Sequence, residues 1–231
     1  NCTAERSRRN TTRKVALCRY AQMQLQQLTA AEHLQYDRLS RGLLYLYRDE
    51  ASFERGTRNM SILKDNGLPL DTLDTAQVVA REPALDGARD RIAGAIYCPT
   101  DESGDAHLFT RALKAACERL GVRFEFDTPI SAIEASGDRV VGVRTPRGLV
   151  GGDEFVLALG SWSPIVARPL GYRLPVYPVK GYSATFPVRP GHRPPDLGGV
   201  DENNLVAWAR FGERLRFTAT AEFAGYDTQI G

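Results

Sequence analysis

The sequence lacks the features that mark several large classes of protein. It has no C-x-x-C pair, and its 4 cysteines and 3 histidines show no zinc-type spacing, so no metal site is predicted. No apolar run approaches the roughly 20 residues that a membrane-spanning helix needs. Its 30 basic and 28 acidic residues leave a net charge of +2, which gives no general attraction to nucleic acid. The sequence therefore disfavours zinc proteins, membrane-spanning proteins and nucleic-acid-binding proteins.

The cysteines are few and are spread singly along the chain. This distribution suits a reducing compartment better than a disulfide framework. Six basic residues lie close together near the amino end, where a solvated helix face and a contact with an anionic surface are both open interpretations. We expect a cytoplasmic protein, with peripheral association at the inner face of the cell membrane as the alternative. The cysteines are Cys2, Cys18, Cys98 and Cys117, and the basic residues are Arg6, Arg8, Arg9, Arg13, Lys14 and Arg19.

A glycine-rich phosphate-binding turn, G-x-G-x-x-G, is also absent from the sequence. One stretch nevertheless indicates a ligand site, namely the apolar run Phe155–Leu159, which stops at Gly160. So short a run predicts a strand buried on both faces. In an open α/β sheet ligands lie where such strands end, and a glycine there lets a ligand approach the backbone closely. The run therefore predicts one wall of a cofactor site without its phosphate cradle.

The chain begins at Asn1 rather than at a methionine and ends at Gly231, just after a strand-like segment. We expect it to be an internal piece of a longer protein. With 42% hydrophobic and 25% charged residues, its composition is ordinary for a globular protein. At 231 residues it can bury one large core or two modest ones.

Periodicity and turn residues predict an alternation of β-rich and helical regions. Helices are predicted over residues 11–28, after Asp49, from Thr75, after Asp105 and after Ser161. The first of these has an apolar stripe at helical spacing, made of Leu17, Tyr20, Ala21, Gln24, Leu25 and Leu28. Strands are predicted at residues 42–47, 68–73, 92–98, 122–126, 130–133, 140–143, 149–150, 155–159, 176–188, 205–211 and 215–223. The three segments between 130 and 150 form an antiparallel meander, because turn residues separate them.

The order of these elements predicts α/β plus antiparallel β structure in two interleaved domains. One is a nucleotide-type α/β domain, to which residues 1–35 contribute a helix and residues 101–171 the larger part. The other is an antiparallel sheet supplied by residues 36–100 and 172–231, on either side of it. No internal repeat is apparent.

Several segments occur in an order and spacing that resembles one enzyme family. They are Gly104-Asp105-Ala106-His107-Leu108-Phe109, Gly121-Val122-Arg123-Phe124, Thr128-Pro129-Ile130, Leu157-Ala158-Leu159-Gly160-Ser161-Trp162-Ser163, Pro175-Val176-Tyr177-Pro178-Val179-Lys180-Gly181-Tyr182-Ser183 and Ala221-Glu222-Phe223-Ala224-Gly225-Tyr226-Asp227. Together they resemble the flavin-dependent D-amino acid oxidoreductases, and among these the small subunits of the D-amino acid dehydrogenases. The resemblance covers nearly the whole chain.

The resemblance implies a two-domain fold in which one domain binds FAD and a sheet domain covers the flavin and holds substrate. It implies oxidation of a D-amino acid by hydride transfer from Cα to FAD, followed by hydrolysis to ammonia and a 2-oxo acid. The dehydrogenases pass the electrons to a respiratory acceptor, a quinone or another carrier. A glycine- or sarcosine-oxidase-like amine oxidase and a truncated, non-catalytic binding module remain the alternatives. Because the family's glycine-rich turn and carboxy-terminal segment are missing, we expect these 231 residues alone to bind FAD weakly and to be inactive.

The resemblance also assigns candidate FAD-binding residues. Ile130 matches the position whose backbone faces the adenine part of FAD, although it can equally be a core residue. Ala158, Leu159 and Gly160 match the segment that passes close to the cofactor, where small residues and exposed amides are required. Trp162 either packs against the cofactor or the domain interface, or is buried in the core.

Four further residues are weighed for substrate binding or catalysis, and no catalytic residue is assigned. Tyr182 can hydrogen-bond substrate from the sheet, or it can be an ordinary half-buried tyrosine. Arg210 can pair with the substrate carboxylate, or with a glutamate across strands. Lys180 is expected to be a solvated or interdomain charge rather than a base. His107 is expected on the outer side of its helix.

Overall fold

The structure, a computed structural model, describes residues 3–230 and divides into two compact units. Unit 1 is built from Asn1–Leu120 and Gly181–Thr220, and unit 2 from Gly121–Lys180 and Ala221–Gly231. Cys2 falls outside the described residues, and the three cysteines within them are free thiols. Each unit thus draws on two separate stretches of the chain.

Residues 3–230 contain five α-helices, ten strands and three 3-10 helices. The helices are α1 (Ala4–Ala31), α2 (Glu50–Asp65), α3 (Thr75–Arg81), α4 (Ala106–Arg119) and α5 (Ser163–Ala167). The strands are β1 (Leu43–Tyr47), β2 (Asp71–Asp74), β3 (Gly94–Cys98), β4 (Ala132–Ser136), β5 (Arg139–Thr145), β6 (Gly148–Val150), β7 (Lys180–Pro187), β8 (Gly198–Asp201), β9 (Val206–Phe211) and β10 (Arg214–Glu222). The 3-10 helices are Pro83–Arg91, Gly160–Trp162 and Arg168–Leu170.

A seven-stranded sheet in the order β2-β3-β1-β8-β9-β10-β7 joins early and late parts of the chain. This confirms the prediction that segments on either side of the α/β region supply one sheet. The prediction that the sheet is antiparallel is wrong at one pair, because β1 and β8 run parallel with Leu43 opposite Gly198. A parallel pair needs a long crossover connection, and the chain between these two strands provides one.

The core of unit 1 lies on both faces of β1, whose side chains alternate between them. Leu44 and Leu46 belong to one buried cluster, which also contains Val78 of α3. Tyr47 belongs to a second cluster, packed against Phe53 of α2. The centre of the sheet is therefore covered by helical structure on both sides.

Both aspartates that the sequence predicts as helix caps occupy that position. Asp49 accepts a hydrogen bond from the backbone N–H of Ser52 at the start of α2. Asp105 accepts from the N–H groups of His107 and Leu108 at the start of α4. Each carboxylate satisfies amides that have no partner inside the helix. The prediction that Ser161 caps a helix is wrong, since the Gly160–Trp162 and Ser163–Ala167 helices have no side-chain cap.

The predicted apolar stripe of α1 does not face the core. Leu17 and Tyr20 are 67% and 58% exposed, whereas Val15 on the other side is 7% exposed. The buried face is fixed by polar contacts, among them the hydrogen bond from Gln22 Nε2 to the carbonyl oxygen of Thr100. Hydrophobic periodicity missed these contacts because spacing along one helix carries no information on polar partners in distant segments such as Thr100.

Helix α4 packs within unit 1. Its Ala116 lies in a buried cluster with Leu34 and Tyr36, and the Tyr36 ring meets Phe109 edge-on at 5.2 Å between centroids. The domain boundaries predicted from the sequence instead place α4 in the α/β domain, with the rest of residues 101–171. The compact units thus divide the chain at different residues from the predicted domains, whose functional assignment stays a prediction.

Unit 2 contains the predicted meander, in which β5 pairs with both β4 and β6. The predictions of strands at 122–126 and 155–159 are wrong for this structure, since neither stretch is assigned to a strand. A β-strand needs a neighbouring backbone to accept and donate its hydrogen bonds. Within the described part of unit 2, the meander is the one sheet present, and it pairs with neither stretch.

Candidate functional site

The segment that ends at Gly160 is extended and open rather than buried. Val156 is 91% exposed and Ala158 is also exposed, so the prediction of burial on both faces is wrong here. Burial of such a strand requires a strand on each side, and no described residue provides either. The apolar residues therefore stand at the surface of unit 2.

Gly160 has the backbone geometry that the sequence suggests for a close approach. Its φ is +54°, in the left-handed region, and a Cβ placed on it would meet no atom within 4 Å. An L-residue pays about 1–2 kcal/mol for this conformation, which glycine avoids. The backbone here is thus both turned and accessible to a ligand.

Two of the five candidate FAD-binding residues share an apolar cavity. Ile130 and Leu159 line a space of about 350 Å³ in unit 2, together with residues of β4, β5 and the Phe155–Leu157 stretch. The other three, Ala158, Gly160 and Trp162, lie within the same short segment and are exposed. The Trp162 indole is 59% exposed, so the alternative of a buried core tryptophan does not hold in this structure.

One residue that the sequence did not single out contacts this segment. The hydroxyl of Tyr226 donates a hydrogen bond to the carbonyl oxygen of Ser161 at 2.7 Å. Its ring also lies beside that of Trp162, with 6.3 Å between centroids. Tyr226 belongs to the tail of the Ala221–Asp227 stretch that carries the family resemblance, but periodicity gives no hint that a residue so distant in sequence reaches Ser161.

Arg210, on β9 of unit 1, is already paired. Its Nη1 lies 2.9 Å from Oδ1 of Asp196, and its Nε donates to the carbonyl oxygen of Gly212 at 3.0 Å. The partner is thus an aspartate in the loop before β8, not a glutamate across strands. A substrate carboxylate at Arg210 would have to join or displace this pair.

Tyr182 is half-buried on β7, the edge strand of the seven-stranded sheet. Strand β10 lies between it and β9, which carries Arg210. Adjacent strands are about 4.8 Å apart, so these two strands lie about 10 Å apart. The substrate candidates are therefore on one sheet of unit 1, whereas the FAD candidates belong to unit 2.

Lys180 and His107 have the non-catalytic environments that the sequence favours. Nζ of Lys180 lies 3.0 Å from Oε1 of Glu222 and 2.7 Å from the carbonyl oxygen of Gln229. Both contacts hold the Lys180 side chain within unit 2. His107 is exposed on α4.

The strongly shifted pKa values occur elsewhere in unit 1. Burial raises the pKa of the Tyr47 phenol to about 12, and the charge of Glu202 adds to this effect. Burial and then the neighbouring Asp201 raise the pKa of the Glu202 carboxyl. Structural clusters shift pKa values as functional sites do, and nothing links these residues to the candidate site. Residues 3–230 contain no group of three or more His, Cys, Asp or Glu side chains placed to hold a metal ion.

Comparison with known proteins identifies the family. The family described as FAD dependent oxidoreductase matches residues 2–231. The chain belongs to this family of FAD dependent oxidoreductases. That membership confirms the predicted resemblance and places the exposed Gly160 turn in a family whose members use FAD.

Relatives that match nearly the whole chain include D-amino acid dehydrogenases. D-amino acid dehydrogenase 2 of Mesorhizobium japonicum is 41% identical over 227 residues, covering 98% of this chain and 55% of the relative. The D-amino acid dehydrogenase of Phenylobacterium zucineum is 43% identical over 230 residues, covering 100% of this chain and 54% of the relative. The chain therefore spans about half the length of these relatives.

Solved structures of related oxidoreductases confirm the predicted fold class. Glycine oxidase from Bacillus cereus superposes with a TM-score of 0.83 at 22% identity, covering 94% of this chain and 59% of that one. L-proline dehydrogenase from P. horikoshii gives a TM-score of 0.78 at 17% identity, covering 92% and 57%. At such identities the likeness concerns the fold alone.

Proposed function

We propose that the chain is part of an FAD-dependent D-amino acid dehydrogenase. This enzyme oxidises a D-amino acid to the 2-oxo acid and ammonia and passes the electrons to a respiratory acceptor. The observation that carries the proposal is the similarity of the whole chain, at 41–43% identity, to relatives named D-amino acid dehydrogenase. When bound, FAD supplies the hydride acceptor for the Cα hydrogen of the substrate.

The described residues fit one wall of a flavin site. The space beside Gly160 admits a ligand against the backbone, and the exposed Ala158 adds no bulk there. We assign the cofactor contact to this backbone and to the Trp162 ring, with Ile130 and Leu159 shaping the apolar cavity beneath. Their role is to orient the cofactor and to keep water from one side of it.

The substrate role falls to Arg210 and Tyr182. A guanidinium has five N–H donors, and the contacts with Asp196 and Gly212 account for two of them. The remaining donors suit a carboxylate, which arginine binds well through paired hydrogen bonds. The Tyr182 hydroxyl is the candidate for a second hydrogen bond to the substrate.

A matched pair of glycine variants tests the cofactor assignment. Gly160 and Gly137 have φ values of +54° and +64°, and a Cβ on either would meet no atom within 4 Å. Gly160→Ala and Gly137→Ala should therefore lose similar stability, about 1–2 kcal/mol each. Only Gly160→Ala should weaken FAD binding, measured by fluorescence titration of the complete gene product. Equal FAD affinity in the two variants would remove the assignment.

A glycine-oxidase-like amine oxidase is the second candidate. It is supported by the superposition on Bacillus cereus glycine oxidase, which at 22% identity speaks for the fold alone. The two functions differ in the electron acceptor. A dehydrogenase reduces an artificial dye or a quinone with D-alanine and forms little hydrogen peroxide, whereas an oxidase forms peroxide in proportion to substrate.

We also propose a cytoplasmic location with peripheral attachment to the inner face of the membrane. No helix among residues 3–230 has the length and apolarity to cross a bilayer. The support for attachment is the basic first half of α1, whose cationic residues are Arg6, Arg8, Arg9, Arg13 and Lys14. Flotation with anionic vesicles, and its loss at high salt, is the expected result, while equal flotation with neutral vesicles would count against it.

A further inference from the structure

The end of the described chain forms a strap across the segment that carries Gly160. Residues 221–230 comprise the last two residues of β10 and the segment after it, and they belong to unit 2. Lys180 Nζ binds this strap at two points, through Oε1 of Glu222 at 3.0 Å and the carbonyl oxygen of Gln229 at 2.7 Å. The Phe223 ring stacks on Tyr177 with 6.3 Å between centroids. The strap is thus held at both of its ends.

Between these two attachments the strap reaches the Gly160 turn through Tyr226. The Tyr226 hydroxyl lies 2.7 Å from the carbonyl oxygen of Ser161. Backbone hydrogen bonds close the turn itself, from the N–H of Trp162 to the carbonyl oxygen of Leu159 at 3.1 Å and from the N–H of Ser163 to that of Gly160, and no side chain caps it. The contact from Tyr226 is therefore the side-chain hydrogen bond that ties this turn to another part of unit 2.

We propose that Tyr226 is a positioning residue, which holds the turn from Leu159 to Trp162 in the open conformation that receives FAD. The hydroxyl fixes the Ser161 carbonyl, and the ring sets the orientation of the neighbouring Trp162 indole. Gly160, directly before these two anchored residues, has a left-handed backbone that is easily lost when its neighbours move, since glycine also populates other conformations. This inference rests on the proposed function, because it assumes that FAD meets this turn.

Tyr226→Phe removes the hydroxyl and keeps the ring. Tyr177→Phe is the matched control, because Tyr177 is also an exposed tyrosine whose ring contacts an aromatic partner of unit 2, Phe223. Hydrogen–deuterium exchange of the complete gene product without FAD reports on the Trp162 amide directly. We expect faster exchange in peptides covering the turn for Tyr226→Phe and unchanged exchange for Tyr177→Phe. The FAD dissociation constant should rise about 3- to 10-fold in Tyr226→Phe alone, the range expected for one net hydrogen bond.

The outcomes separate this inference from the proposed function. Faster exchange at the turn together with weaker FAD binding supports the positioning role. Faster exchange with unchanged FAD affinity overturns it while leaving the proposed function intact, and so does unchanged exchange. If the unsubstituted protein takes up no FAD, the proposed function fails and the positioning role fails with it. A uniform rise in exchange throughout unit 2 would indicate general destabilisation and would also overturn the positioning role.

Discussion

Glu82 tests how unit 1 holds the loop before β8, which carries Asp196, the ion-pair partner of Arg210. The side chain is only 2% exposed. Oε2 accepts hydrogen bonds from the backbone N–H groups of Asp196 and Leu197, both at 2.8 Å, and Oε1 accepts from Ala84 at 3.2 Å. Glu82→Ala removes both acceptor oxygens and all three hydrogen bonds, whereas Glu82→Gln keeps an amide oxygen that can accept two of these bonds.

The cost of each change follows from which amides can reach water. A buried N–H left without a partner costs about 1–3 kcal/mol. Leu197 is buried, whereas Asp196 and Ala84 are exposed and can be hydrated. The stranded Leu197 amide costs about 1–3 kcal/mol, and each hydrogen bond lost at Asp196 and Ala84 costs about 1 kcal/mol more. We therefore expect Glu82→Ala to lower the free energy of unfolding by about 3–5 kcal/mol and Glu82→Gln by about 1–2 kcal/mol. For a chain of this size Glu82→Ala should lower the melting temperature by roughly 6–20 °C.

The fluorescence of Trp208 can follow the unfolding of these variants. It is buried, and its indole N–H donates to the carbonyl oxygen of Leu197 at 2.9 Å, so its fluorescence reports on the loop that Glu82 holds. Replacing Trp162 by phenylalanine leaves Trp208 as the sole tryptophan, since the sequence has 2. Urea unfolding followed at this residue should rank Glu82→Ala below Glu82→Gln, and both below the exposed control Glu213→Gln. Equal midpoints for all three variants would show that Glu82 does not hold this loop.

Two further predictions concern the packing and charges of unit 1. Burial raises the pKa of the Asp105 carboxyl, but hydrogen bonds from α4 backbone N–H groups and from Arg214 outweigh it and hold the pKa below its ordinary value. The stability this provides is complete above the unfolded-state pKa near ~4 and is lost as the pH falls through the lower folded-state pKa. Asp105→Asn, which keeps a capping oxygen, should therefore show a flatter loss of stability in acid, and a wild-type slope would contradict this. Gly56→Ala should destabilise the protein by about 1–3 kcal/mol despite the better helix propensity of alanine, because its Cβ would lie 2.3 Å from the Tyr47 ring. Gly87→Ala, where no atom lies within 4 Å, is the thermal-melting control, and equal melting of the two variants would disprove the clash.

The sequence predicts best where the signal is local. The caps at Asp49 and Asp105, the meander of β4 to β6, and strands β1, β9 and β10 follow from turn residues and alternation over a few positions. Such features depend on neighbours in the chain, which the sequence shows directly. The sequence also predicts that early and late strands form one sheet, because its β-rich regions lie on either side of the helical region.

The sequence fails where structure depends on distant partners. The apolar stripe of α1 at Leu17 and Tyr20 faces outward, because contacts such as Gln22 with Thr100 set the buried face. The Phe155–Leu159 run has the composition of a central strand. It is not a strand here because no strand among the described residues pairs with it, and composition does not show whether such a neighbour exists. The contact of Tyr226 with Ser161 spans 65 positions in the sequence, so no local pattern indicates it.

The most direct test of the account is the reduction of bound flavin by substrate. The complete gene product is purified, loaded with FAD, and mixed anaerobically with D-alanine or L-alanine while the flavin absorbance is followed. We predict that D-alanine bleaches the flavin and L-alanine does not, and that a quinone restores the absorbance much faster than dioxygen does. No bleaching by any D-amino acid, or rapid reoxidation by dioxygen with stoichiometric hydrogen peroxide, would contradict the assignment as a D-amino acid dehydrogenase.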